Sequence, residues 1–261
     1  MQRLSIATLA LTLLTLLVSP TQASEADERL VLATYKFSNE SSTATGFVVS
    51  RTQNGVIEYF AVTSNHVFDK MTGNTCILVA RSKKENGEYL RREIPLPIRA
   101  DGKDLWRKDQ QHDVAVLRLP AGLGVISIPS ECLATEEALA KVFTGDIVKS
   151  ATFPERTEAN GAGFPLMRMG AIASHPIRPT DIHPTFLVDA NTWKGDSGSA
   201  VMHSTLRYRN DWPMILGITR GMQNITDTVK ESRFVEKRSD YPLGIAVVVH
   251  AKFAAKLIAN Y

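Results

Sequence analysis

Between residues 30 and 250 the chain repeats one pattern: a short apolar run, a cluster of turn residues, then another run. That spacing leaves little helical periodicity and reads as many short strands of an all-β, barrel-like fold. From Glu28 onward the pattern is β, with a first strand expected over residues 30–37. Residues 46–50 and 56–63 predict a hairpin through Gln53-Asn54-Gly55, because Asn-Gly suits the left-handed positions of a tight turn. Residues 76–80 and 89–96 predict another around a polar tip, and residues 114–119 close this half. The second half repeats the pattern over 147–153, 166–174, 185–190, 200–203, 214–219 and 243–249. Two polar segments, 155–164 and 220–241, read as long loops, which in compact domains are usually functional or mobile. Residues 250–261 read as a helix, with Val249, Phe253 and Leu257 on one face.

The first residues carry a different signal. A basic start at Arg3, an uncharged apolar run over 4–18 and small residues up to Ala23 are the grammar of a secretory signal peptide. The run is short of the roughly 20 residues that a membrane span needs. An uncleaved anchor is the alternative. Cleavage after Ala23 implies an exported protein, periplasmic or extracellular, with no membrane partner afterwards. Export would put Cys76 and Cys132 in an oxidising compartment, where one disulfide or two buried thiols both fit. Neither cysteine belongs to a Cys-x-x-Cys pair and the six histidines lack ligand spacing, so no metal or cofactor is expected. A formal charge of +3 from interspersed charges gives no reason to expect a nucleic-acid partner.

The chemistry concentrates in Trp193-Lys194-Gly195-Asp196-Ser197-Gly198-Ser199-Ala200-Val201. A serine between glycines, just ahead of an apolar run, is a candidate nucleophile on a tight turn. A serine hydroxyl is a weak nucleophile and needs a base, which in turn needs an orienting group. Upstream, Ser64-Asn65-His66-Val67 offers the base and His112-Asp113-Val114-Ala115-Val116-Leu117 the orienter. Each alone has a bland structural explanation. Together they run His66, Asp113, Ser197, the chain order of chymotrypsin and not of subtilisin or the α/β-hydrolases.

On these residues, with Thr45-Gly46-Phe47-Val48-Val49, Thr144-Gly145-Asp146-Ile147-Val148 and Val188-Asp189-Ala190, the chain resembles the chymotrypsin-fold (trypsin-like) serine peptidases. Within them it is most similar to the bacterial glutamyl endopeptidases and high-temperature-requirement proteases. The resemblance implies two six-stranded antiparallel barrels: residues 24–125 with His66 and Asp113, a connector over 126–143, and residues 144–261 with Ser197 and a closing helix packed on the second barrel. It implies a polypeptide substrate and an oxyanion hole made by the backbone N–H groups of Gly195 and Ser197. It also implies a primary specificity pocket between Asn191 and Thr192 on one wall and Thr219 and Arg220 on the other. Asn191 stands where trypsins carry aspartate, which argues against a Lys or Arg preference; Thr192 and Arg220 together would suit an acidic side chain. Asp196 is present without a trypsin-like activating terminus, so a local partner is expected for it. The function implied is a serine endopeptidase working through an acyl-enzyme. The alternatives are a catalytically silent scaffold of the same fold and an esterase using the same triad.

Overall fold

The computed structural model describes residues 25–230 and 236–261. The expected signal peptide, residues 1–23, lies outside the described residues. The chain enters on a helix, α1 (Glu25–Ala33), so the expected strand over 30–37 begins only at Thr34. Leu30-Val31-Leu32 is apolar throughout, and such a run does not distinguish strand from helix by periodicity. Glu25, Asp27 and Glu28 sit in the first helical turn, where the backbone dipole favours negative charge. Ala26, Leu30 and Ala33 form one fully buried stripe.

The first half contains β1 (Thr34–Ser38), β2 (Thr43–Gln53) and β3 (Val56–Thr63), then α2 (Asn65–Lys70), β4 (Thr75–Lys83) and β5 (Tyr89–Pro97). Short strands β6 (Arg99–Ala100), β7 (Lys103–Asp104) and β8 (Arg107–Lys108) lead to β9 (Ala115–Arg118). The β2–β3 turn carries Asn54 at φ 51° and Gly55 at φ 77°, as Asn-Gly predicts. The sheet runs β5-β4-β1-β2-β3-β9-β8, with β10 (Ile128–Pro129) added beside β2. This half is thus an open barrel: an eight-stranded sheet wrapped around one core, whose end strands β5 and β8 do not pair, where the resemblance implied six strands closed on themselves. Pro95 and Pro97 deprive β5 of two donors, which suits an edge strand.

A connector with one helical turn, α3 (Glu136–Leu139), leads into the second half. Thr135 caps it by accepting from Ala138 N–H, one of the donors a helix start leaves open. There β11 (Ile147–Thr152), β12 (Leu166–Ile172), β13 (Thr185–Asp189), β14 (Ala200–Arg207), β15 (Pro213–Lys230) and β16 (Glu236–His250) follow. They close into a six-stranded barrel in the order β11-β12-β13-β16-β15-β14. The expected loop over 220–241 is instead a ribbon, β15 pairing with β16 from Asn224↔Pro242 to Lys230↔Glu236. Its described side chains are largely exposed, so no burial pattern marked it as strand.

The two halves share one apolar core. Phe47, Val49, Phe60 and Val62 from the first meet Ala151, Ala200, Met202, Ile215 and Val249 from the second. The α1 stripe and the last helix, α4 (Lys252–Ala259), cover this seam. The closing helix therefore also packs on the first half and not only on the second barrel. Phe253 stacks on His112 at 3.7 Å between ring centres, and the Tyr261 hydroxyl donates to Val116 O at 2.8 Å. The two cysteines are free, buried thiols, the second of the two arrangements that the sequence left open. Cys76 lies in the core of the first half with Phe68 and Leu78, whereas Cys132 lies at the seam with Leu30 and Ile128. Burial pushes both thiols up to about 12, so neither is a reactive thiolate.

His250, at the end of β16, is wholly buried, and neither ring nitrogen has a hydrogen-bond partner among the described residues. Burial pushes its pKa down to about 4. Stability from keeping this ring neutral is full above about pH 6.5, the unfolded value, and is lost as pH falls through the folded value. The total is on the order of 3 kcal/mol. Urea unfolding of wild type and His250→Gln at pH 7.5 and pH 4.5 should show a smaller acid-induced loss in the variant.

Candidate active site

The first barrel delivers a histidine already oriented. His66 occupies the first turn of α2, where backbone N–H groups have no intrahelical acceptor. Its N–H donates to Asp113 Oδ1 at 2.9 Å, and its ring Nδ1 lies 2.6 Å from Asp113 Oδ2. Burial alone would raise the Asp113 pKa; the bonds from the His66 ring and N–H, with the charge of Arg220, hold it below the ordinary value. An ionised Asp113 only accepts hydrogen bonds, so Nδ1 carries the proton and Nε2 is left as the acceptor.

The second barrel delivers the serine on a tight turn. Asp196 N–H closes onto Trp193 O at 3.1 Å with Gly195 at φ 101°, the form of a type II turn. A Cβ on Gly195 would stand 2.3 Å from Phe153 O. Glu155 N–H donates to Lys194 O at 2.6 Å. In a trans peptide C=O and N–H point opposite ways, so this bond turns Gly195 N–H away from Glu155. Among the described residues, neither Gly195 N–H nor Ser197 N–H donates to another protein group. A cleft of about 430 Å³ is lined by His66, Gly195 and Ser197 together. The Ser197 hydroxyl itself donates to Arg220 O at 3.2 Å.

The two barrels meet backbone to backbone at this point. Thr45 N–H donates to Ser197 O at 3.1 Å, Thr45 Oγ1 donates to Gly195 O at 2.7 Å, and Ser64 Oγ donates to Thr219 O at 2.9 Å. Gly198, at φ 89°, fills the remaining gap; a Cβ there would lie 2.0 Å from Thr63 Oγ1 and 2.1 Å from Thr45 O. The segment after Phe153 is strapped onto the first barrel. Glu158 pairs with both Lys36 and Arg91, and buried Arg81 donates to Gly163 O at 2.8 Å.

The model of the trypsin-like peptidase domain matches residues 44–207. The chain belongs to the trypsin-like peptidase family. Family membership implies a polypeptide substrate and a serine-peptidase fold. No curated protein matches the chain. Among solved structures it is similar to an inactive, serine-to-alanine form of Rv3671c from M. tuberculosis H37Rv. That likeness has 18% identity and a TM-score of 0.51, over 93% of this chain and 94% of that one. It is also similar to human heparin binding protein, at 12% identity and a TM-score of 0.50, over 89% of this chain and 92% of that one. At these identities the likeness is one of fold.

In trypsins a new chain terminus pairs with the aspartate before the nucleophile. Here Arg168 of β12 reaches that aspartate, Nη1 to Asp196 Oδ2 at 2.7 Å, and Trp193 N–H donates to the same oxygen at 2.8 Å. No spacing in the sequence links Arg168 to the serine loop, so only the barrel reveals this pair. Burial raises the Asp196 pKa despite these partners. The expected specificity residues are split. Asn191, Thr192 and Thr219 line a cavity of only about 20 Å³. Thr219 is buried, and its hydroxyl accepts from Ser199 Oγ at 2.9 Å. Arg220 does not line that cavity; its side chain is 58% exposed, with Nε 3.8 Å from Asp113 Oδ2.

Gly198→Ala should cost about 3 kcal/mol or more, through the positive φ and the collision with Thr45 O. Arg168→Met should cost about 3 kcal/mol at pH 7, because it strands a buried carboxylate. A carboxyl whose folded pKa is raised favours folding at low pH and disfavours it as pH rises through that value. The Arg168→Met deficit should therefore shrink on acidification. Chemical denaturation at pH 7 and pH 4.5 measures both effects.

Proposed function

We propose that the protein is an exported serine endopeptidase in which Ser197 attacks the peptide carbonyl, His66 moves the proton and Asp113 holds the imidazole. The observation that carries this reading is the 2.6 Å His66–Asp113 contact beside a cleft that also holds Ser197 and two unengaged N–H groups. On attack the Ser197 hydroxyl turns from Arg220 O toward His66 Nε2, which takes its proton as the C–O bond forms. Charge then develops on the former carbonyl oxygen, and Gly195 N–H and Ser197 N–H are the donors for it. His66, now protonated, gives the proton to the leaving amine as the C–N bond breaks. Water repeats the sequence on the acyl-enzyme and restores the serine. Asp113 stays ionised throughout and stabilises the imidazolium.

Two further features support the reading. Arg168 already occupies Asp196, so the turn needs no newly cut terminus to hold it. The cleft that holds Ser197 extends to Val67 and Lys70, giving room for a peptide to continue past the scissile bond, as cleavage within a chain requires. Export is proposed from residues 1–23 alone. The cavity of about 20 Å³ beside Asn191 and Thr192 favours a small side chain before the scissile bond over Lys, Arg or Glu.

A fluorophosphonate probe should label wild-type protein at Ser197. Ser197→Ala should abolish labelling, and His66→Ala should slow it by about 10⁶-fold. A peptide-library digest should give internal cuts after Ala, Ser, Thr or Gly. A folded wild-type protein that neither labels nor cuts is the silent scaffold instead, and one that hydrolyses only small esters is the esterase.

A further inference from the structure

We propose that the groove on the leaving-group side of Ser197 is an anion-selecting subsite, which recognises Asp or Glu side chains in the peptide segment after the scissile bond. The proposal rests on the endopeptidase reading and names its substrate class. The general acid must stand beside the leaving amine, so the departing half of the peptide lies on the His66 side of the serine. The 430 Å³ cleft runs that way, from Ser197 past His66 to Val67 and Lys70, and no residue of β15 lines it.

The charges around this groove are unbalanced. Lys70, Arg156 and Lys194 line it and are exposed, and none is ion-paired among the described residues. Glu155 is the sole carboxylate among the lining residues. Glu158 is engaged with Lys36 and Arg91, Asp69 with Asn65 and Lys108, and Asp113 with His66, while Glu40, next to the lining Ser41, is exposed and outside the lining. The lining itself thus carries three cations and one anion in a concave site, where walls of low dielectric concentrate the field.

The backbone gives an independent reason to assign a role to this wall. Glu155 and Arg156 both adopt left-handed conformations, at φ 46° and 68°. Such a conformation is costly for a residue with a side chain and free for glycine. The turn is nevertheless built from two long charged residues, and it is clamped in place. Phe153 N–H donates to Thr45 Oγ1 at 3.0 Å, Glu155 N–H to Lys194 O at 2.6 Å, and Glu158 is clasped beyond. Strain that its surroundings enforce at the rim of a site points to function. Here it holds Arg156 on the wall of the groove that Lys70 also lines.

The test uses the full-length protein and three peptide series that share one half before the scissile bond and differ only after it, in Asp/Glu, Ala/Gln or Lys residues. The expected order of kcat/KM is acidic, neutral, basic, with about tenfold between the first two at low salt. The ratio should collapse toward one in 1 M NaCl, where screening acts over about 3 Å. Lys70→Glu/Arg156→Glu should invert the order. Because the ratio is the readout, a variant with lower absolute activity still reports. Equal rates across the series from wild type, a preference for lysine, or an acidic preference that survives in the double variant would each overturn the proposal and leave the endopeptidase reading intact. A wild type that neither cuts peptides nor takes the fluorophosphonate at Ser197 overturns both.

Discussion

The site depends on one close approach. The Ser197 turn of the second barrel presses against Thr45 and Thr63 of the first so tightly that position 198 has room for no side chain. Hydrogen bonds from Thr45 and Ser64 hold the contact from the first barrel, accepted by Gly195, Ser197 and Thr219 of the second. Apolar burial brings the halves together over Phe47, Phe60, Met202 and Ile215, but burial is not directional. The backbone bonds at Thr45 are directional. They fix the serine against β2, and Thr63 of the neighbouring β3, whose hydroxyl donates to Thr45 O, leads through Ser64 directly to His66.

Two carboxylates flank the serine, and their surroundings set them apart. Asp113 receives two hydrogen bonds from one residue and stays below the ordinary carboxylate pKa. Asp196 is more deeply enclosed, and burial outweighs Arg168 and the Trp193 N–H in setting its pKa. One is therefore suited to stabilise a positive imidazole. The other anchors the turn that carries Ser197. Arg168 does this from within a strand of the same barrel, so the anchoring is complete in the folded chain.

The segment after β11 links the barrels a second time. It leaves the second barrel at Phe153, turns through two left-handed residues, holds the Lys194 carbonyl and ends clasped to the first barrel through Glu158 and Gly163. Orientation of the Gly195 N–H, the wall of the groove and docking of the barrels are thus properties of one stretch of chain. Substituting within it affects all three together.

Short-range signals were enough to read much of this from the sequence. Alternation and turn residues give most strands, Asn54-Gly55 gives its hairpin, and the face containing Phe253 gives the last helix. The order and settings of His66, Asp113 and Ser197 pick out the side chains that gather at the cleft, because each closes or precedes a β run with its own local grammar. Features decided by partners far along the chain were not legible. Leu30-Val31-Leu32 becomes helix because the seam offers a place for one buried stripe. The 220–241 segment becomes ribbon because its two arms find each other, not because either buries a face. Cys76 and Cys132 stay apart because they belong to different cores. Arg168 meets Asp196, and Lys70 and Arg156 come to line one cleft, only once strands and loops separated in sequence are folded side by side. Local periodicity carries no record of such meetings. The residues themselves determined the chemistry on offer, and the packing of two barrels decided which of it shares one groove.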